Sequence, residues 1–229
     1  MRNPNHKGRS PQEIISCDVY HDQAGYVYQG LSWIDYAKRE TNILALRYAA
    51  LSTRLSIESL IFEEIILCVG NELDRQDYGM CKGSKKKLYR IFKKLNPNYK
   101  KLVIFTDTLL SFIGSKNVIV ISWDFDRLLA DWDRSSNYLH WRGVKDETTD
   151  SIEWFHKGIS VIDDALNYIW ENLTKGYSAI LRPASMTPEV LATWEEYKAD
   201  RIDISSVERR LRLAQPILQE RYNRTSQFT

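Results

Sequence analysis

The chain has 229 residues, 43% of them hydrophobic and 27% charged, with only 10 Gly and 6 Pro. That composition suits a globular protein with one large core or two small ones, and it excludes collagen-like, low-complexity and wholly disordered chains. The net charge of +2 by itself selects no partner. Cys17, Cys68 and Cys81 are too few and too scattered for a disulfide framework or a zinc site, which points to a reducing, cytoplasmic compartment. No apolar run approaches the roughly 20 residues of a membrane helix, and the opening residues lack the apolar centre of a secretory signal. No membrane partner is expected.

Scarce breakers among many Leu, Ile, Ala, Lys, Arg and Glu favour long helices. The expected fold class is all-α: an N-terminal tail over 1–30, disordered to about Gln12, a helical bundle over 31–176, and a helical appendage over 177–229 with a frayed end. Ser32, with Asp35 three residues on, reads as a helix N-cap. A long helix follows from about Asn42 to Val69, its stripe running Leu44, Tyr48, Leu51, Leu55, Glu58, Phe62, Ile65, Val69. Leu88, Ile91, Phe92 and Leu95 form the apolar face of the next helix, which Asn96-Pro97 ends. NYKKLVIFTDTLLSFIG reads as another helix, closed by Gly114. Val118–Ile121 is a short strand or, preferably, an extended connector. Ser122 caps WDFDRLLADWDR, and Ser135-Ser136-Asn137 breaks that helix. Ile152, Phe155, Ile159, Ile162, Leu166, Ile169 and Leu173 then hold heptad spacing. In the appendage, Thr187-Pro188-Glu189 starts one helix, and a capping box from Ser205 to Glu208 starts the last, which Pro216 should kink.

Charge is unevenly placed. Nine basic residues and no acid lie between Lys82 and Lys101; taking these nine from the 32 leaves 23 bases against 30 acids elsewhere. Lys85, Lys86, Lys87, Arg90, Lys93 and Lys94 can track a phosphate backbone, with Tyr89 available for stacking. The competing reading is a solvated face opposite the apolar stripe.

The sharpest chemical feature is Arg134-Ser-Ser-Asn-Tyr-Leu-His140, an Arg and a His separated by five residues at the broken end of one helix and just before a long amphipathic one. In RNA cleavage the 2′-hydroxyl attacks the adjacent phosphorus, so one proton must be taken and another given. His140, with a reference pKa of about 6.5, serves either role near neutral pH. Arg134 offers a fixed charge and a planar fork to a phosphate gaining negative charge. Along a straight helix the two would lie about 9 Å apart in rise and about 120° apart in angle. Convergence therefore needs either the Ser135–Asn137 break or a second subunit. Asp131, one turn earlier, is placed to hold the Arg134 guanidinium, and Ser135 and Asn137 are supporting polar groups.

These residues, in an all-α setting over roughly Ser32 to Gly176, resemble the HEPN family (higher eukaryotes and prokaryotes nucleotide-binding domains). Its ribonucleases carry an Arg and a His four to six residues apart. The resemblance implies a metal-independent endoribonuclease without a cofactor, catalytic through Arg134 and His140, that pairs as a homodimer so that two motifs face each other. It also implies RNA as a partner, a toxin or defence role, and a cognate inhibitor or antitoxin protein. The residue after the Arg, often Asn, Asp or His in active members, is Ser135 here. The alternative is a catalytically silent helical module that dimerises or binds RNA or protein.

Other candidates read as structural. Asp124, Asp126, Asp131 and Asp133 lack the spacing to close on one ion, since residues seven apart on a helix differ by about 10.5 Å in rise. Glu58 sits four residues after Arg54, at ion-pair spacing. His156 reads as a surface or interface histidine.

Overall fold

The computed structural model describes residues 5–16, 22–69, 76, 79, 85–112, 120–139, 151–175, 181 and 183–225, with backbone only at 66–69, 85–86 and 217–225. Among these residues there are nine α-helices: α1 Pro11–Ile15, α2 Gln23–Glu40, α3 Ile43–Val69, α4 Lys85–Leu95, α5 Tyr99–Phe112, α6 Phe125–Ser136, α7 Ile152–Lys175, α8 Pro188–Lys198 and α9 Ile204–Thr225. A 3₁₀ turn spans Pro183–Ser185. The fold class is all-α, as the composition and periodicity indicate.

Several helix starts are displaced from the sequence reading because other side chains do the capping. The carboxylate of Asp22 accepts from the N–H of Gly25 at 2.7 Å and starts α2 at Gln23. Ser32 is therefore an interior residue, its hydroxyl donating to the Tyr28 carbonyl. Thr41, in the left-handed region at φ 49°, closes α2, and Asn42 accepts from Ala45 N–H at 2.9 Å to open α3. Asp124 rather than Ser122 caps α6. Asp203 rather than Ser205 opens α9, accepting from Ser206 N–H at 2.9 Å. Thr187 caps α8 as read, ahead of Pro188. Helix α9 continues through Pro216 as one element to Thr225, and residues 113–119, including Gly114, lie outside the described set.

The N-terminal segment is also more structured than a tail. Ser10 and Glu13 make a reciprocal capping box for α1, and Ile14 is fully buried. The segment is pinned to α2 by Gly8 N–H to Asp35 at 2.8 Å, Arg9 to Ser32 at 3.2 Å, and Arg39 to the Arg9 carbonyl at 2.9 Å. Arg9 also lies over the Tyr28 ring at 5.1 Å.

The chain forms two compact units; one boundary falls at Thr174/Lys175, and the second unit also takes in two earlier segments. The first comprises Met1–Glu63, Gly83–Leu88 and Trp123–Thr174; the second comprises Glu64–Lys82, Tyr89–Ser122 and Lys175–Thr229. The second unit therefore groups α5 with α8 and α9 as well as with most of α4 and the end of α3. In this second unit Phe105, fully buried, meets Trp194 at 5.4 Å and Tyr197 at 6.2 Å between ring centres. Glu64 is buried there, and its carboxylate accepts from the Tyr99 hydroxyl at 3.2 Å.

The first unit packs α2, α3, α6 and α7. Helix α7 buries Phe155, Ile159, Ile162, Leu166 and Ile169, the heptad face read from sequence, while Ile152 is exposed. Over its first half helix α3 buries a different face from the one read, while Ile65 of the read stripe is fully buried. Leu44, Tyr48 and Leu51 are 60%, 51% and 43% exposed; Ala45, Leu46, Ala49, Ala50, Thr53, Ser56 and Ile57 are buried instead. The reason is close packing. Gly30 of α2 lies so near α7 that an added Cβ would stand 2.7 Å from Leu166 Cδ2 and 3.3 Å from Ser52 Cβ. Gly158 of α7 is equally tight against Leu46 and Tyr138, at 2.7 and 2.8 Å. Helices this close need small residues at the contact, so the small face of α3 turns inward and bulky side chains are left outside.

Candidate functional site

The broken end of α6 is built on a buried carboxylate. Phe125, Leu128, Asp131 and Ser135 share the inward face of α6, so Asp131 enters the core with the apolar side chains one turn away. It is 0% exposed, and its Oδ1 accepts from Nη2 of Arg134, three residues on. Oδ2 faces Nε of Arg127 at 3.6 Å. Arg127 is itself fixed: its guanidinium lies 3.9 Å from the Tyr168 ring centre and pairs with Asp164 at 3.0 Å. The sequence spacing thus places Asp131 correctly as the holder of Arg134. A buried charge holds an arginine whose side chain remains 48% exposed.

Two of the supporting residues behave differently. Ser135 is fully buried, and its hydroxyl donates to the Asp131 carbonyl at 2.7 Å; it packs in the core and does not accompany Arg134. Ser136 makes the same backward bond to the Trp132 carbonyl. Asn137 is the exposed C-cap residue of α6. Beyond it the chain tightens: Asn137, Tyr138 and Leu139 donate to the carbonyls three residues back, at 3.1–3.2 Å. Such a turn advances about 120° and 2.0 Å per residue, so Asn137–Leu139 leave the straight-helix path. His140 itself, with Trp141 and Gly143, lies outside the described residues.

Alongside, Trp132 joins α6 to α3. Its indole N–H donates to Glu58 at 2.7 Å, Arg54 lies 4.1 Å above its ring, and Arg54 reaches Glu58 at 3.6 Å. Glu58 is therefore a half-exposed anchor for α6, paired with Arg54 as its spacing indicated. The buried Nε of Arg54 has no hydrogen-bond acceptor among the described residues; the indole face supplies its electrostatic partner.

The basic helix α4 has the face read from sequence, with Leu88, Ile91 and Phe92 buried. Lys87, Arg90, Lys93 and Lys94 are exposed, and Lys93 lies 4.4 Å over the Tyr89 ring. The side chains of Lys85 and Lys86 lie outside the described residues. His156 is exposed, its ring 5.7 Å from that of Phe155. Among the described residues no three His, Cys, Asp or Glu side chains come together in a way that would hold a metal ion, and no helix is long and apolar enough to cross a membrane.

Sequence reasoning missed the Arg54–Trp132 stack and the buried Glu64–Tyr99 bond. Both join residues more than 30 positions apart, and no local spacing signals such pairs. Comparison of the chain with protein-family models, with curated proteins and with solved structures finds no match.

Proposed function

We propose that the protein is a metal-independent endoribonuclease of HEPN type, acting as a homodimer, with Arg134 and His140 as its catalytic pair. The observation that carries the reading is the buried Asp131 carboxylate gripping a half-exposed Arg134 at the last turn of α6. An arginine held from behind by a buried, hydrogen-bonded partner presents its charge with little reorganisation, which is what stabilising a developing phosphorane requires. His140, six residues on, transfers the proton: it takes one from the 2′-hydroxyl or gives one to the leaving 5′-oxygen. The exposed bases of α4 hold the RNA strand through its phosphates. A toxin or defence role with a cognate inhibitor, in the cytoplasm, follows from the same proposal.

A second reading has its own support. Ser135 lies inside the core, at the position where active members of the resembled family often carry a polar side chain, so a catalytically silent RNA-binding or dimerising module is the rival. One experiment separates them. Purified protein is incubated with several RNAs in excess EDTA beside His140→Ala. The enzyme reading expects cleavage to 2′,3′-cyclic phosphate ends, lowered about 10²–10⁴-fold in the variant. Intact RNA with wild-type protein refutes it and favours the module.

A further inference from the structure

The bulky residues that α3 turns outward form one surface. Among the described residues seven large apolar side chains are exposed, and four of them, Ile15, Ile104, Ile152 and Leu213, stand one to a helix. Leu44, Tyr48 and Leu51 are the other three and share one stripe of α3, which the half-buried Leu55 continues. We propose that this stripe, in the first compact unit, is the docking surface for an amphipathic helix of a partner protein, one that carries a carboxylate beside its apolar face. The proposal does not rest on the ribonuclease reading.

Contiguity separates this stripe from ordinary exposure. Single apolar side chains at a surface are normal, whereas a contiguous patch marks an interaction site. Steps of four, three and four place Leu44, Tyr48, Leu51 and Leu55 above one another through about 16 Å of rise. That is about three helical turns, the length over which the i, i+3, i+4 and i+7 anchors of a docked helix make contact. Tyr48 is a fixed anchor within it. Its ring lies 5.0 Å from that of the buried Trp33 on α2, and Trp33 in turn meets Tyr36 edge-on at 6.3 Å. A ring held on one side and open on the other loses little freedom when a partner covers it.

Charge selects the partner. No acid occurs in the sequence between Glu40 and Glu58, whereas Arg47 and Arg54 both do. The two flanking acids are already engaged: Glu58 by Arg54 and the Trp132 indole, and Glu40 by Arg39 at 3.5 Å. Arg47 lies three residues after Leu44 and four before Leu51, beside both on the helix surface. It is half-buried, its Nε is buried without a hydrogen-bond acceptor, and it forms no ion pair with a described residue. A guanidinium presents five donors in a fixed fork. One left unfilled beside an apolar stripe is complementary to a carboxylate brought in by a partner.

The same facts weigh against two other occupants. In an isologous contact a second copy would lay the stripe on itself. That brings the Arg47 of each copy to one apolar patch, and the stripe supplies no free acid to neutralise either. A homodimer through another surface is compatible with the proposal. Single-stranded RNA is held by stacking on aromatic rings and by phosphate contacts. Here the exposed side chains are mostly leucine, and a single ring and a single unpaired arginine accompany them.

The test is fluorescence anisotropy of the full chain with three labelled, alanine-rich helical peptides of about 18 residues. The first carries leucines at helical spacing with Glu beside them, the second has Lys in place of Glu, and the third keeps Glu but has Ser in place of Leu. The Glu–Leu peptide should saturate with a Kd on the order of 10–100 μM, and the other two should bind at least about tenfold more weakly. Leu44→Ser combined with Leu51→Ser, both at exposed positions, should abolish binding while the helical spectrum is kept. Arg47→Gln should remove the preference for the Glu peptide over the Lys peptide, and Arg47→Glu should reverse it. That reversal separates docking on α3 from general attraction of an acidic peptide to the bases of α4. The proposal is overturned by no binding up to about 1 mM, by equal binding of the Glu and Lys peptides, or by a folded Leu44→Ser, Leu51→Ser protein that binds as wild type does. Half the wild-type mass for that double variant in light scattering would assign the stripe to a second copy, and displacement of the peptide by polyuridylate would assign it to RNA; either result also overturns the proposal.

Discussion

Removing Arg134 strands a charge, and the structure sets the size of the effect. Asp131 is fully buried; Arg134 holds its Oδ1, and among the described residues Arg127, at 3.6 Å, is the cation that faces Oδ2. Breaking a fully buried ion pair from one side costs about 3–5 kcal/mol, because the remaining charge is left in the core. Here Arg127 stays and Arg134 is half-exposed, so Arg134→Ala should cost about 2–3 kcal/mol. For a chain of this length that lowers Tm by about 4–12 °C. Asp131→Asn removes the charge that is stranded, so adding it to Arg134→Ala should restore at least half of the loss. Thermal and urea unfolding by circular dichroism of both single variants and the double variant close the cycle. Strict additivity, with the double variant less stable than Arg134→Ala, would refute the account, as would an Arg134→Ala protein as stable as wild type. The cycle also bears on any ribonuclease assay. Activity lost in Arg134→Ala and not regained in the stabilised double variant reports chemistry and not unfolding.

Gly158→Val should destabilise by about 1–3 kcal/mol through overpacking, because Leu46 and Tyr138 already stand within 3 Å of where its Cβ would be; urea midpoints check this, and an unchanged midpoint would show that α3 and α7 can part at no cost. Replacing Lys87, Arg90 and Lys94 by Glu should weaken RNA binding and flatten its salt dependence, each lost phosphate contact reducing the log–log slope by about 0.7 on a single strand; filter binding across a salt series that shows no change would leave α4 as a solvated face. The carboxyls of Glu196 and Asp203 are held below their ordinary values of 4.5 and 3.8, the first by its hydrogen bond from Arg210 and the second by those from Ser206. Their contribution to stability is therefore present above those values and lost as pH falls below them, and Asp203→Asn should flatten the acid limb of a stability–pH curve.

Periodicity and composition suffice for the all-α class, for the apolar faces of α4 and α7, and for the placement of Asp131 beside Arg134, since each depends on residues three, four or seven apart on one helix. Local chemistry also marks the break at Ser136, where polar side chains bond back to the helix carbonyls. The inward face of α3 was not legible in this way. That helix is apolar on nearly every side, so hydropathy selects no face, and the choice fell to the close approach permitted by Gly30 and Gly158 on other helices. Caps by Asp22, Asp124 and Asp203 compete with equally plausible serines nearby, and only the path of the chain into each helix decides between them. The exposed stripe of Leu44, Tyr48 and Leu51 is the other side of that choice. Sequence supplies those side chains at the spacing of a core face, but their place at the surface needs two distant helices brought against the small face of α3 by the core.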